Sequence, residues 1–347
     1  MTLRVALAAA FLVWADVALA DDCPAAPDPV ISLGFDSRYV PEDASRSEID
    51  PEARDKAMAA IAPVDQFLRD LVRAANRVVA GRPGTDAGCL LMQLAAWAHA
   101  DALSDLGSDT ARLTIGARLA GFALVLRQIT PATTRPDDAE IVRAWLVTRI
   151  TEQITFWEDM APPGARQGNL RAWAALAGAA VASLTDDAAI RDWSAASLSD
   201  VLCTVAPDGS IPQEMTRGRL ALHYQLHAIG PLVTGVLILG EQGVMLHDTC
   251  DGALARAVLF AVDDLETGAA TQAITGEIQS FFDGSAELRG FHLAWIEAYL
   301  RLPEMPGRDA LDLLAEEWRP LNYSKLGGNQ TLLWGETAPT SSTPTDG

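Results

Sequence analysis

The chain has 347 residues, 49% of them hydrophobic, with 26 Lys and Arg against 46 Asp and Glu and a net charge of −20. That balance argues against nucleic acid as a partner. It also repels a polyanion at long range, so an acidic polymer would need a local basic cleft.

Residues 1–20 read as a cleavable export signal. "MTLR" is basic, "VALAAAFLVW" is a short apolar run, and "ALA" at 18–20 is a small-residue cleavage site. The run is short for a membrane span and Asp16 interrupts it. The expectation is an exported, periplasmic protein without a membrane anchor. Removing the segment takes away Arg4 and Asp16 and leaves the net charge unchanged.

Residues 21–49 are extended, with few apolar periods. From Asp50 the pattern is helical: "DPEARDKAMAAIAPVDQFLRDLVRAANRVV" opens with a capping Asp and a first-turn Pro. Helices follow at 86–105, 108–129, 137–159, 168–183, 186–204, 212–228, 231–240, 243–265, 271–282, 285–302 and 307–318, punctuated by Gly, Pro and Asp. No convincing period-2 strand appears. Segments such as "WAALAGAAVASL" are apolar on more than one side and predict helices sandwiched between helices. Short connections predict antiparallel neighbours, so the fold class is all-α, with hairpins curled into a toroid or stacked as a solenoid. No linker splits residues 21–336, which form one domain, and the polar tail 337–347 should be disordered.

Four cysteines, Cys23, Cys89, Cys203 and Cys250, remain after cleavage. An even count in an exported chain favours disulfides with three connectivities open, and buried free thiols are the alternative. No CxxC occurs, and Cys and His are not clustered as a structural zinc site needs.

"RGRLALHYQLH", residues 217–227, concentrates polar chemistry on an apolar helix. Arg217 and Tyr224 are seven apart, within about 20° of each other around a helix axis. His227 lies one turn beyond Tyr224. His223 and His227 have metal-ligand spacing, but no third ligand is evident and no metal is expected. The alternative is a buried helix whose Tyr and Arg bond to loops. Trp97, Trp173 and Trp334 could be sugar platforms, although Trp on an apolar helix is more often core. His99, His247 and His292 have no assignable role.

"DGSIPQEMTRGRLALHY" resembles a segment of polysaccharide lyase family 5, the alginate lyases, of the form DG-x-hydrophobic-P-x-E-hydrophobic-x-R followed by A-L-x-Y. "FDSRYVPEDASRSEIDPEA", "CLLMQLAAWAHADAL" and "YSKLGGNQTLLWG" resemble further family segments, in family order, over residues 30–335. The resemblance implies an incomplete (α/α) toroid with a central cleft, no cofactor, and β-elimination on a 4-linked uronic-acid polysaccharide. It pairs Cys23 with Cys89, which leaves Cys203 and Cys250 for a second bridge.

The C5 proton of a uronide is weakly acidic, so the adjacent carboxylate must be neutralised as charge develops. A base then takes the C5 proton and an acid protonates the leaving O4. By resemblance Tyr224 is the catalytic tyrosine, acting as acid and, for mannuronate, also as base, and Arg217 is its charge partner. Asn169, in "GNLRAW", matches the carboxylate-neutralising asparagine; a helix N-cap is its other reading. Trp173 matches the family tryptophan, and Arg38 stands where the family has a substrate-binding lysine. Arg171 and His227 join the substrate-binding set, with Arg46, Arg219 and Lys325 as further cleft cations. Leu170 stands where the family has a histidine, and leucine neither accepts a proton nor bonds a carboxylate. Three readings follow: a lyase using Tyr224 alone with a changed uronide preference, a lyase in which His223 or His227 has taken over, or a protein of exopolysaccharide secretion that binds the polymer without cleaving it; in each the expected state is a monomer.

Overall fold

The computed structural model describes residues 23–335; the expected export signal and the whole of the expected tail lie outside the described residues. In chain order the elements are β1 (Ser32–Leu33), α1 (Pro51–Val79), α2 (Ala87–His99), β2 (Asp105–Leu106), α3 (Asp109–Thr114), α4 (Gly116–Ile129), α5 (Pro136–Thr155), α6 (Asn169–Thr185), α7 (Ala188–Leu202) and α8 (Pro212–Met215). They continue with α9 (Ala221–Glu241), α10 (Thr249–Asp264), α11 (Ala269–Thr275), α12 (Ile296–Tyr299), α13 (Arg308–Trp318), β3 (Asn322–Tyr323), β4 (Gly328–Asn329) and α14 (Gln330–Trp334). The strands form two short ladders, β1 with β2 in parallel and β3 with β4 antiparallel.

The start of α1 follows its sequence signal. The Asp50 side chain accepts from the Glu52 and Ala53 amides, with Pro at the first helical position. Its buried face, Ile61, Val64, Phe67, Leu68, Leu71, Val72 and Ala75, keeps the three-and-four spacing of a helix buried on one side.

The centre is α6, which packs against α4, α7 and α9. Small residues let the backbones approach. A Cβ on Gly178 would meet the Ser194 hydroxyl at 2.3 Å, and one on Gly116 would meet the Ala174 backbone at 2.8 Å. Every residue from Ala172 to Ala182 is buried, and seven of those eleven are Ala, positions where a larger side chain would have to displace a neighbour.

Where expectation and structure differ, tertiary contacts explain the change. The expected break near residue 230 is absent, and α9 runs through Pro231 because its flanks are buried. Gly218–Glu241 is apolar and long enough to cross a membrane, but 89% of its apolar window is buried inside the fold, as in a core helix. The expected helix over 271–282 stops at Thr275 with Gly276 at φ +77°. Beyond it, Gln279 accepts from the Leu222 amide (3.0 Å) and donates to the Gly218 carbonyl (3.2 Å), tying this irregular segment to the start of α9. The 243–265 helix begins only at Thr249, with Cys250 to Gly252 in the left-handed region. Cys23 is bonded to Cys89 and Cys203 to Cys250, so the free-thiol alternative falls.

Candidate active site

Arg217 is not on the helix that carries Tyr224. A single-turn segment, Gly218–Leu220, intervenes, and α9 starts at Ala221. The guanidinium nevertheless reaches the tyrosine, with its carbon 3.8 Å from the Tyr224 ring centre. It is held there by donating from Nε to the Ser45 carbonyl (3.0 Å) and from Nη2 to the Arg46 carbonyl (2.7 Å). Those carbonyls belong to a loop organised by Asp43, which accepts from the Ser45 amide (2.9 Å), the Ser47 amide (2.6 Å) and the Glu48 amide (2.7 Å).

The same N-terminal segment delivers two groups to the Tyr224 hydroxyl. Arg38 Nη2 donates to it at 3.1 Å, and the Tyr39 hydroxyl contacts it directly. Arg217 also lies 4.9 Å from the Tyr39 ring centre. Burial alone would raise the Tyr224 pKa, but Arg217, Arg38 and the hydroxyl of Tyr39 outweigh it and the net shift is downward. The Tyr39 phenol moves the other way, raised by burial and by the neighbouring Tyr224. The proton therefore stays on Tyr39, and Tyr224 is the phenol that ionises.

Asn169 is the first residue of α6 and not its cap; Gly168 occupies the cap position. Its amide serves Glu214 instead. The Asn169 backbone N–H donates to Glu214 Oε1 (2.7 Å), and Nδ2 lies 3.1 Å from Oε1 and 2.9 Å from Oε2. Oδ1 is buried with no hydrogen-bond partner. Glu214 is 1% exposed, and its pKa is pushed up to about 7 by burial, against the opposing pull of Asn169 and Arg217. Arg217, Tyr224 and Arg38 are thus in direct contact, and Asn169 is linked to them through Glu214, whose backbone carbonyl accepts from the Arg217 amide (3.0 Å).

Beside Tyr224 lies a group of imidazoles. The His223 ring is 5.2 Å from those of Tyr224 and His292 and 6.4 Å from that of His227. Burial pushes His223 down to about 3 and His292 to about 4, and lowers His227 as well, so all three are neutral near neutral pH. Their tautomers are partly set. His227 Nε2 accepts from Trp173 Nε1 (3.1 Å), and His292 Nδ1 accepts from the Arg289 amide (3.0 Å). Lys325, half-buried, feels Arg38, Arg118 and Asp65, and burial pushes its pKa down to about 7. Among the described residues no group of three or more His, Cys, Asp or Glu could hold a metal ion.

Other sequence candidates lie elsewhere. Arg171 pairs with Glu158 (2.9 Å) and Asp200 (3.5 Å), so its charge is matched within the protein and not offered to a substrate. Trp173 is buried beneath His227, which it supports in place of stacking on a sugar. Trp97 is core, 4.4 Å from Phe67, and Trp334 lies over Arg127. Arg219 reaches Ser285 (3.2 Å) and Asp283 (3.6 Å). Leu170 packs against the cluster of Phe156, Trp157, Ala161 and Ala174. Three site residues carried no role in the sequence reading: Tyr39, Glu214 and His292. Tyr39 and Glu214 sat inside quoted motifs, so adjacency was a usable signal. His292 is 69 residues from His223 in the chain, and no local pattern joins them.

Comparison with known proteins adds an independent line. A family model described as alginate lyase matches residues 114–271. The alginate lyase of Azotobacter vinelandii is 29% identical over 337 residues, covering 92% of this chain and 86% of that protein. That of Pseudomonas aeruginosa PAO1 is 28% identical over 336 residues, covering 91% and 86%. Among solved structures, a histidine-to-alanine variant of alginate lyase A1-III complexed with tetrasaccharide matches with a TM-score of 0.76 at 23% identity, over 90% of this chain and 85% of that one. The crystal structure of alginate lyase A1-III from Sphingomonas species A1 matches with a TM-score of 0.72 at 22% identity, over 90% and 86%. At those identities the structural likeness speaks for the fold, an (α/α) toroid.

Proposed function

The chain belongs to the alginate lyase family, and from that premise we propose that Tyr224, Arg217, Arg38 and Asn169 form the site at which it cleaves an alginate-type, 4-linked uronic-acid polysaccharide by β-elimination. The observation that carries this is the Tyr224 hydroxyl, buried between Arg38 and Tyr39 with Arg217 against its ring. A phenol held by two cations ionises more easily and can take the C5 proton. As the C4–O4 bond breaks and the C4–C5 double bond forms, the re-protonated phenol gives its proton to O4. Negative charge that grows on the sugar carboxylate needs fixed donors. Asn169 supplies an amide for this role, and Arg38 and Lys325 supply cations.

One phenol can serve both C5–H and O4 only when the two bonds lie on the same face of the ring. In a β-linked mannuronate they do; in its C5 epimer, guluronate, they do not. With Leu170 in an apolar cluster, no base stands at the family's histidine position, so polymannuronate is the favoured substrate. His227 is bound to Trp173, and His223, pushed down to about 3, is too weak a base to have taken over. The second reading, a cleft that binds the polymer without turnover, is favoured by the same leucine.

We infer export to the periplasm from the basic, apolar and small-residue pattern of residues 1–20. The deciding experiment is the ultraviolet absorbance of unsaturated uronate. Mature protein is offered polymannuronate, polyguluronate and polyglucuronate, with Tyr224→Phe as control. Signal on polymannuronate that the variant abolishes is expected. Binding without signal on any polymer would establish the second reading.

A further inference from the structure

The Asn169 amide poses a chemical problem. A group that neutralises the substrate carboxylate must offer N–H, yet Nδ2 lies between the two oxygens of Glu214 and the buried oxygen Oδ1 is left over. In this arrangement the end of the amide that points away from Glu214 is the enclosed oxygen Oδ1, which would repel a carboxylate brought against it. The two ends of a primary amide have the same shape and can exchange places by rotation about one bond. Which end meets Glu214 then depends on whether Glu214 can donate.

We propose that Glu214 is a positioning residue that decides which end of the Asn169 amide faces the substrate. As the neutral acid, Glu214 keeps Oε1 as acceptor for the Asn169 backbone N–H and donates from Oε2 to Oδ1 across the 2.9 Å contact, which turns both Nδ2 hydrogens outward. As the carboxylate, it accepts from Nδ2, which leaves the enclosed Oδ1 as the end of the amide that points away from it. The inference rests on the uronide reading of the site, and it adds a proton-controlled step to it.

Three observations support it. Glu214 is fully enclosed, and two Asn169 groups reach it within 3.1 Å. The approach is built in, because a Cβ at position 168 would lie 2.4 Å from Glu214 Oε1 and only Gly168 leaves room. Burial also raises the carboxyl to about 7, so both forms are accessible near neutral pH.

The charged surroundings are few. Arg217 is the cation acting on Glu214. On the first two turns of α9 the titratable groups are His223, Tyr224 and His227, both imidazoles being neutral near neutral pH. In the turn Pro163–Gln167, Arg166 donates to the Ala161 carbonyl. On α6, Arg171 is paired with Glu158 and Asp200. The α11 segment "AATQAIT" has no titratable side chain, and Glu277 beyond it accepts from the Arg219 amide.

The test separates this idea from the lyase reading by measuring binding without turnover. Affinity of the Tyr224→Phe protein for a mannuronate tetrasaccharide is measured by calorimetry from about pH 5.5 to about pH 8.5. Affinity should fall by roughly tenfold per pH unit above about 7. In the protein that also carries Glu214→Gln, whose amide N–H donates at every pH, this loss should vanish. Equal slopes in the two proteins would overturn the proposal. In parallel, the parent protein at about pH 6 should show the infrared carbonyl band of a buried neutral carboxyl, absent from Glu214→Gln. Absence of that band overturns the proposal even if no tetrasaccharide binds, whereas missing product from the parent bears only on the lyase reading.

Discussion

Arg217 does two things at once: its guanidinium sits 3.8 Å from the centre of the Tyr224 ring while its nitrogens hold the Ser45 and Arg46 carbonyls. Planarity allows both, because a fork can stack on a ring and donate in its own plane, which an ammonium cannot do. Arg217→Lys should therefore behave more like a deletion than a conservative change. We expect kcat on polymannuronate to fall by about 10²-fold for Lys and somewhat more for Ala, the usual scale for losing one preorganised electrostatic group. Ultraviolet titration of the phenols should show Tyr224 ionising at higher pH in both variants. Unchanged ionisation with lost activity would assign Arg217 to loop order alone.

Tyr39→Phe removes the hydroxyl that touches Tyr224 and keeps the ring beneath Arg217. A hydrogen bond to a charged group contributes about 1.5–3 kcal/mol, so kcat/KM should fall by roughly 10- to 100-fold. The rising limb of the pH–rate profile should move to higher pH, because the Tyr224 phenolate has lost a donor. A loss of rate with an unmoved limb would argue that Tyr39 acts on substrate alone.

How much of this was legible beforehand depends on the range of the interaction. Asp50–Pro51 announced α1 locally, and the alternation of small and apolar residues announced that α6 is enclosed. Tyr224 and Arg217 shared one short motif, yet the guessed geometry, a single helical stripe, was wrong. Their contact is made by a turn and fixed by a loop 171 residues away. Arg171 was misplaced because its partners Glu158 and Asp200 lie on other elements. The long helices expected at 243–265 and 271–282 failed for the same reason. A disulfide and the Gln279 side chain hold those chains in shapes that local propensity does not anticipate.

Leu170→His tests whether the family's missing imidazole can simply be restored. Position 170 packs on Phe156, Trp157 and Ala174, with no charged partner among these contacts. A polar ring there should cost about 1–3 kcal/mol of stability, visible as a lower Tm by calorimetry. No gain of rate on polymannuronate is expected. A rise in polyguluronate cleavage would instead mean that the introduced ring reaches the sugar.

The Cys203–Cys250 bridge closes a segment of sequence separation 47 and anchors the left-handed turn at Cys250. Loop-closure entropy for that span gives a stabilisation of about 4 kcal/mol, the upper end of the roughly 2–4 kcal/mol that disulfides typically contribute. Cys203→Ser with Cys250→Ser should lower the denaturant midpoint accordingly. Reduction of the parent protein should reproduce the shift and add the contribution of Cys23–Cys89, whose separation is 66.

Glu214 also predicts how stability depends on pH. Its folded pKa is raised to about 7 from 4.5. Between those values the native protein keeps a proton that the unfolded chain releases. Stability must therefore fall as pH rises through this window, and level off above it. The shift of about 2.5 units corresponds to about 3 kcal/mol at full development. The histidines act in the opposite direction. His223 and His292 are pushed down to about 3 and about 4, so the unfolded chain takes up protons first, and stability falls as pH drops below 6.5. The two effects oppose each other over part of the range, and only a variant separates them. Glu214→Gln should leave the acid limb in place and abolish the Glu214 loss, making the variant more stable than the parent at pH 8 but not at pH 4. Denaturant unfolding at the two pH values checks this. An equal difference at both would mean that Glu214 releases its proton in the folded protein as readily as in the unfolded one.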